Sequence, residues 1–168
     1  APSNASIGVA RFSDAMQLVQ DFTDDRGVVR DAIERITDPA GNTCLYDTVY
    51  GALDQLKQAN PEGGERARKA IILFTDGQDL RLVQGQTQGQ RCSVHSFAEV
   101  VGRAKAYNVP VNTIGLFSKP ADINRQELEQ MAEENAGFSA IGSDPEVGDL
   151  FRLIFTGLNS QYRASFDV

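Results

Sequence analysis

Residues 71–79 read Ile71-Ile72-Leu73-Phe74-Thr75-Asp76-Gly77-Gln78-Asp79: four apolar side chains run straight into a threonine, a carboxylate and a glycine. A short apolar run ended by a turn signal is the pattern of a strand buried on both faces, as in a parallel sheet. The acid at its end has two readings. Asp76 is either an ordinary turn residue or a ligand carried to the edge of a sheet.

The flanking segments say which kind of sheet this is. Leu45, Val49, Ala52 and Leu56 recur at helical spacing before the strand, with Thr43 placed to cap that helix. After the strand comes a polar loop, "GQDLRLVQGQTQGQRC", expected to be irregular and exposed. A helix follows on Phe97, Val100, Val101 and Ala104, then a strand in "VPVNTIGL". Asn124 with Glu127 has the form of a capping box before Leu128, Met131 and Ala132, and Gly137 suits a helix stop. "GFSAIG" is a short strand, Asp144 to Asn159 a last helix, and "QYRASFDV" a closing strand. Upstream, "SIGVARF" and "MQLVQDF" are separated by a short turn and predict an antiparallel hairpin. A helix opened by Asp24 and Asp25 follows, with Val29, Ala32, Ile33 and Ile36 on its apolar side. Alternating helices and strands from residue 45 onward predict an α/β fold: a doubly wound, mostly parallel sheet with helices on both faces and one antiparallel edge strand. In such sheets ligands sit at the carboxyl ends of the strands, where Asp76 lies.

The 168 residues fit a single domain over 1–168. A net charge of −7 argues against nucleic acid or an anionic membrane surface as partner, since both select a basic face. No apolar run is long enough to span a bilayer. Enzyme motifs are scarce. There is no G-x-G-x-x-G, no phosphate-binding loop and no G-x-S-x-G elbow, and the one histidine, His95, reads as a surface or capping residue. The two cysteines, Cys44 and Cys92, lack zinc-binding spacing and leave open either two buried thiols or one disulfide. What remains is oxygen chemistry. Thr43 offers a hydroxyl, Asp76 a carboxylate and Asp79 a second acid, the donors that hard cations take. Composition alone favours the simpler cap-and-turn roles for Thr43 and Asp76.

Taken in order, these segments resemble the von Willebrand factor type A (VWA) domains. "IGVARFSD" is similar to the family's second strand, "GNTCLYDTVYGALDQL" to its threonine loop and helix, and "KAIILFTDGQD" to its strand ending in T-D-G. "VPVNTIGL" resembles the next strand, and "QYRASFDV" the closing strand of bacterial secreted members. The resemblance implies a Rossmann-like sheet bearing a metal-ion-dependent adhesion site. Mg²⁺, or Mn²⁺ or Ca²⁺, would be held partly by Thr43 and Asp76, and an acidic residue on a protein partner would complete the shell. One departure stands out: the family's D-x-S-x-S, which ends its first strand and supplies further ligands, occurs nowhere in these residues. The domain is therefore expected to be incomplete at its N-terminus, with that strand upstream.

The resemblance also brings the loops of Cys44 and Cys92 to one face and implies a Cys44–Cys92 disulfide, hence an extracellular or cell-surface setting. The expected function is a non-enzymatic, cation-dependent adhesion module, a monomeric domain of a larger protein. The rival expectation is a scaffolding module with a degenerate site that binds partners without metal. Asn4-Ala5-Ser6 fits a glycosylation sequon.

Overall fold

A computed structural model describes residues 5–36, 42–59, 68–81, 89–117 and 123–143, together with 146, 148, 149, 152–154 and 156. The expected closing strand at 161–168, the sequon at Asn4 and much of the last helix lie outside the described residues.

Two strands, β1 (Ile7–Phe12) and β2 (Met16–Thr23), pair antiparallel as the short turn predicts, with register shifts between Ile7 and Ala10. Helix α1 (Arg26–Glu34) follows, its Asp25 carboxylate accepting the N–H groups of Gly27 and Val28. Val29 and Ala32 are buried as expected, but Ile33 is 55% exposed, so the apolar stripe is narrower than the sequence suggests.

Helix α2 (Leu45–Gln58) buries Leu45, Val49 and Leu53. Their spacing keeps them on one face, packed against Leu73, Val100, Ala104, Val111 and Met131. Strand β3 (Ile71–Thr75) holds the opening stretch. Helix α3 (Phe97–Tyr107) begins with a capping box of Ser96 and Glu99 and ends at Asn108 in the left-handed conformation. Strand β6 (Val111–Phe117), helix α4 (Arg125–Glu134) and strand β7 (Ser139–Ser143) complete the alternation. The polar loop is not wholly irregular. Two short strands within it, β4 (Leu80–Arg81) and β5 (Gln90–Arg91), pair antiparallel.

Strands β3, β6 and β7 form a parallel sheet in that order. In the middle, β6 is buried from Val111 through Gly115. Its polar side chains are satisfied: Asn112 donates to the Ile71 carbonyl and accepts from the Phe138 N–H, both at 3.0 Å. Asn112 thereby ties β6 to both neighbouring chain segments, which offsets the cost of burying an amide. One sheet face looks toward α2, α3 and α4. On the other, Ile114 and Ala140 pack with Ile154, which lies in a helical segment. The expected α/β architecture, with helices on both faces and an antiparallel pair beside the parallel sheet, is what the chain adopts.

Candidate functional site

The loops at the carboxyl end of β3 are held together by backbone pairing and by two carboxylates. Thr43 and Leu80 form an isolated antiparallel bridge, Thr43 N–H donating to the Leu80 carbonyl at 2.8 Å and Leu80 N–H donating back at 3.0 Å. Leu80 is four residues beyond Asp76, so the threonine loop and the T-D-G turn share one end of the sheet. Asp76 accepts the Gln78 N–H at 3.0 Å, a local turn bond, and its carbonyl accepts Asn124 N–H at the start of α4. Gly77 has φ +80°, and a Cβ there would lie 2.8 Å from both the Asn124 carbonyl and Leu128 Cγ. Only glycine fits that turn.

Thr43 does not cap α2, contrary to the sequence expectation. Cys44 is the N-cap residue and makes no side-chain cap bond. The helix start is served from a distance instead. One oxygen of Asp79 accepts Leu45 N–H at 2.8 Å, and Ser93 Oγ accepts Asp47 N–H at 3.1 Å. Asp79 also accepts Ser93 Oγ–H at 2.6 Å and Ser93 N–H at 3.1 Å, with its side chain 6% exposed. The carboxylate of this second acid is taken up by internal bonds that hold the two loops together.

Asp47 repeats the device one turn later. Its carboxylate accepts the Val94 and His95 N–H groups, both at 2.9 Å, and lies 2.7 Å from His95 Nδ1. Burial alone would raise its pKa, but the bonds from His95 and Val94 outweigh that and hold it below the ordinary value. Val94, 86% exposed, is displayed at the tip of this clamped loop, its carbonyl accepting from Arg91 at 3.3 Å. His95 is neither a cap nor a free surface residue. Its ring stacks on Tyr50 at 3.7 Å, and the Arg103 guanidinium lies 3.8 Å from the centre of the Tyr50 ring while pairing with Asp54.

Cys44 and Cys92 form the disulfide that the resemblance implies, with Cα atoms 4.8 Å apart, joining the threonine loop to the segment before Ser93. Across the site Tyr46 donates its hydroxyl to Glu127 in the first turn of α4. Burial, followed by that bond and the charge of Glu127, pushes the tyrosine pKa up.

Thr43 and Asp76 carry hard oxygens of the kind Mg²⁺ takes, and as cation donors they could supply at most part of its six-coordinate shell. Among the described residues neither the Thr43 hydroxyl nor a second bond to the Asp76 carboxylate is committed elsewhere. Among the described residues Asp76 belongs to no group of three His, Cys, Asp or Glu ligand atoms, and the one such group found there contains Asp14, Cys44 and Cys92.

No helix among the described residues is long and apolar enough to cross a membrane. Several solved structures share the fold. The protein BatB from Bacteroides thetaiotaomicron superposes with a TM-score of 0.65 at 14% identity, covering 94% of this chain and 81% of that one. The vWF domain of the type V pili tip protein Mfa5 from Porphyromonas gingivalis gives 0.67 at 12% identity, with 96% and 82% covered. Proximal thread matrix protein 1 from the mussel byssus gives 0.60 at 16%, covering 91% of this chain and 34% of that one. No curated protein sequence matches the chain. The profile of the von Willebrand factor type A domain matches residues 1–152, and the chain belongs to that family, whose members typically serve as protein-interaction modules without catalysis.

Proposed function

We propose that the chain is a non-enzymatic adhesion module that binds a protein partner through a divalent cation, Mg²⁺ by preference, held in part by Thr43 and Asp76. The observation that carries this reading is the Thr43–Leu80 bridge, which puts the threonine hydroxyl and the Asp76 turn at one end of the parallel sheet. When bound, the cation would supply a Lewis-acidic position for an acidic side chain of the partner. The protein's own part is to fix the two loops, through Asp79, Asp47 and the disulfide, so that the site needs little reorganisation on binding. Two donors do not complete a Mg²⁺ shell, and water and the partner's carboxylate would occupy further positions. The disulfide is compatible with an extracellular or cell-surface setting.

The test is a Mn²⁺ titration of the whole protein containing this chain, read by electron paramagnetic resonance. One bound ion is expected, with affinity falling at least tenfold in Asp76→Ala and in Thr43→Ala. Equal affinity in wild type and Asp76→Ala would defeat the proposal. That outcome would favour a scaffolding module that binds partners without metal.

A further inference from the structure

A second ligand group includes the cysteine next to Thr43 but uses none of the donors of the divalent-cation reading. The sulfurs of Cys44 and Cys92 and a carboxylate oxygen of Asp14 all lie within 4.8 Å of one another. Joined as a disulfide, the sulfurs carry no charge and are poor ligands. As thiolates they are strong ligands for soft and borderline cations.

Each member of the trio is anchored by bonds that do not involve the disulfide. Cys44 N–H donates at 2.8 Å to the carbonyl of Ser13, the residue before Asp14. On either side of Cys44, Thr43 is bridged to Leu80 and Leu45 is bonded to Asp79. Cys92 N–H reaches the Asp79 carbonyl at 3.4 Å, and the next residue, Ser93, is bonded to the Asp79 carboxylate. Asn42 donates its side-chain amide to Asp14, the kind of outer bond that orients ligating carboxylates. Cys44 is also the N-cap residue of α2, where the positive end of the helix favours anionic sulfur. With Cys44 2% and Cys92 5% exposed, the sulfur side is shielded, while exposed Asp14 leaves an access route.

We infer that the reduced protein binds one borderline or soft divalent cation of the Zn²⁺ class through Cys44, Cys92 and Asp14, making the disulfide the closed state of a redox-gated metal site. The chemistry balances with a phosphine as reductant. Phosphorus attacks one sulfur, the other leaves as thiolate, and water hydrolyses the phosphonium to give two thiols and a phosphine oxide. The cation then replaces the two thiol protons, which pass to buffer. Two metal–sulfur bonds and one metal–carboxylate bond form, with water as fourth ligand of a tetrahedron.

The experiment titrates Cd²⁺ into the intact protein, oxidised and phosphine-reduced, and follows thiolate-to-cadmium charge-transfer absorption. In the reduced wild type the thiolate-to-cadmium absorption is expected to saturate at one sulfur-bound equivalent, and in the oxidised protein it is expected not to develop. Asp14→Asn, which leaves both cysteines in place, should weaken uptake at least about tenfold, as loss of even a supporting residue does at metal sites. Asp76→Ala should leave the thiolate-to-cadmium absorption unchanged, which separates this site from the adhesion site. Absence of absorption in the reduced protein would overturn the inference. So would Asp14→Asn binding as tightly as wild type, because the pair would then be ordinary thiols, whether or not the reduced chain stays folded. A matching loss in Asp76→Ala would overturn it too.

Discussion

Asp79→Ala should cost far more stability than Asp76→Ala, although the two acids stand three residues apart in one turn. The Asp79 carboxylate is 6% exposed and accepts Leu45 N–H, Ser93 N–H and Ser93 Oγ–H. Removing it leaves two backbone donors without an acceptor, each costing about 1–3 kcal/mol. Relief from burying the carboxylate offsets part of this, and Ser93 Oγ keeps its bond with Asp47 N–H. The net loss is about 3 kcal/mol, a large share of the stability of an ordinary domain. With a urea slope of about 2 kcal/mol/M, the midpoint moves down by roughly 1.5 M. Asp76 makes one turn bond, to Gln78 N–H, so its removal should cost about 1 kcal/mol or less. The assay is urea unfolding by far-ultraviolet circular dichroism with the disulfide intact. A midpoint shift below about 0.5 M for Asp79→Ala would refute the argument. So would equal losses for the two variants. A double-mutant cycle with Ser93→Ala should return a coupling above about 0.5 kcal/mol, since the residues share hydrogen bonds.

Further outcomes can be checked one by one. Gly77→Ala should lose at least about 2 kcal/mol by thermal unfolding, because a Cβ meets Asn124 and Leu128 at 2.8 Å and φ is positive. A neutral substitution would show that the turn relaxes freely. Reduction of Cys44–Cys92, which closes a loop with a sequence separation of 48, should cost about 4 kcal/mol on the chain-entropy account, measured by urea unfolding with and without reductant in metal-free buffer. Asp47 has a folded-state pKa below its ordinary 3.8, so its stabilisation is complete above 3.8 and is lost as pH falls through the lower folded value. Melting temperatures of wild type and Asp47→Asn should therefore differ at pH about 5 and converge toward pH about 2. A gap that does not narrow would contradict the hydrogen-bond cause.

The elements legible in the sequence were those whose signal is local. The apolar run at 71–74, the helical spacing of Leu45, Val49, Ala52 and Leu56, and the hairpin around Ser13 each declare themselves within a dozen residues, although the fully buried member of the third turn is Leu53. At the site, local pattern misled. A threonine before a helix is a plausible cap, yet α2 is capped by Asp79 from 34 residues away. A gap of that length leaves no periodic trace, so only the folded chain reveals the partner. The roles of Asp47, His95 and Ser93 were hidden for the same reason. The capping box at Asn124 was half right. Its side chain accepts Glu127 N–H, but Glu127 turns instead to Tyr46, a partner again supplied by the fold. The β4–β5 pair escaped notice because two-residue strands carry no alternation to detect.

The clamp around Val94 separates what holds this surface from what it displays. The N–H of Val94 is bonded to Asp47 and its carbonyl to Arg91, while its side chain meets almost nothing but solvent. The mount is thus written in residues 47, 79, 91 and 93, and the exposed tip in a single letter at 94. A change at that letter alters the surface without any backbone bond having to be remade. Such a position is free to diversify at little cost in stability, and it is a natural point at which to graft a new contact onto a fixed frame.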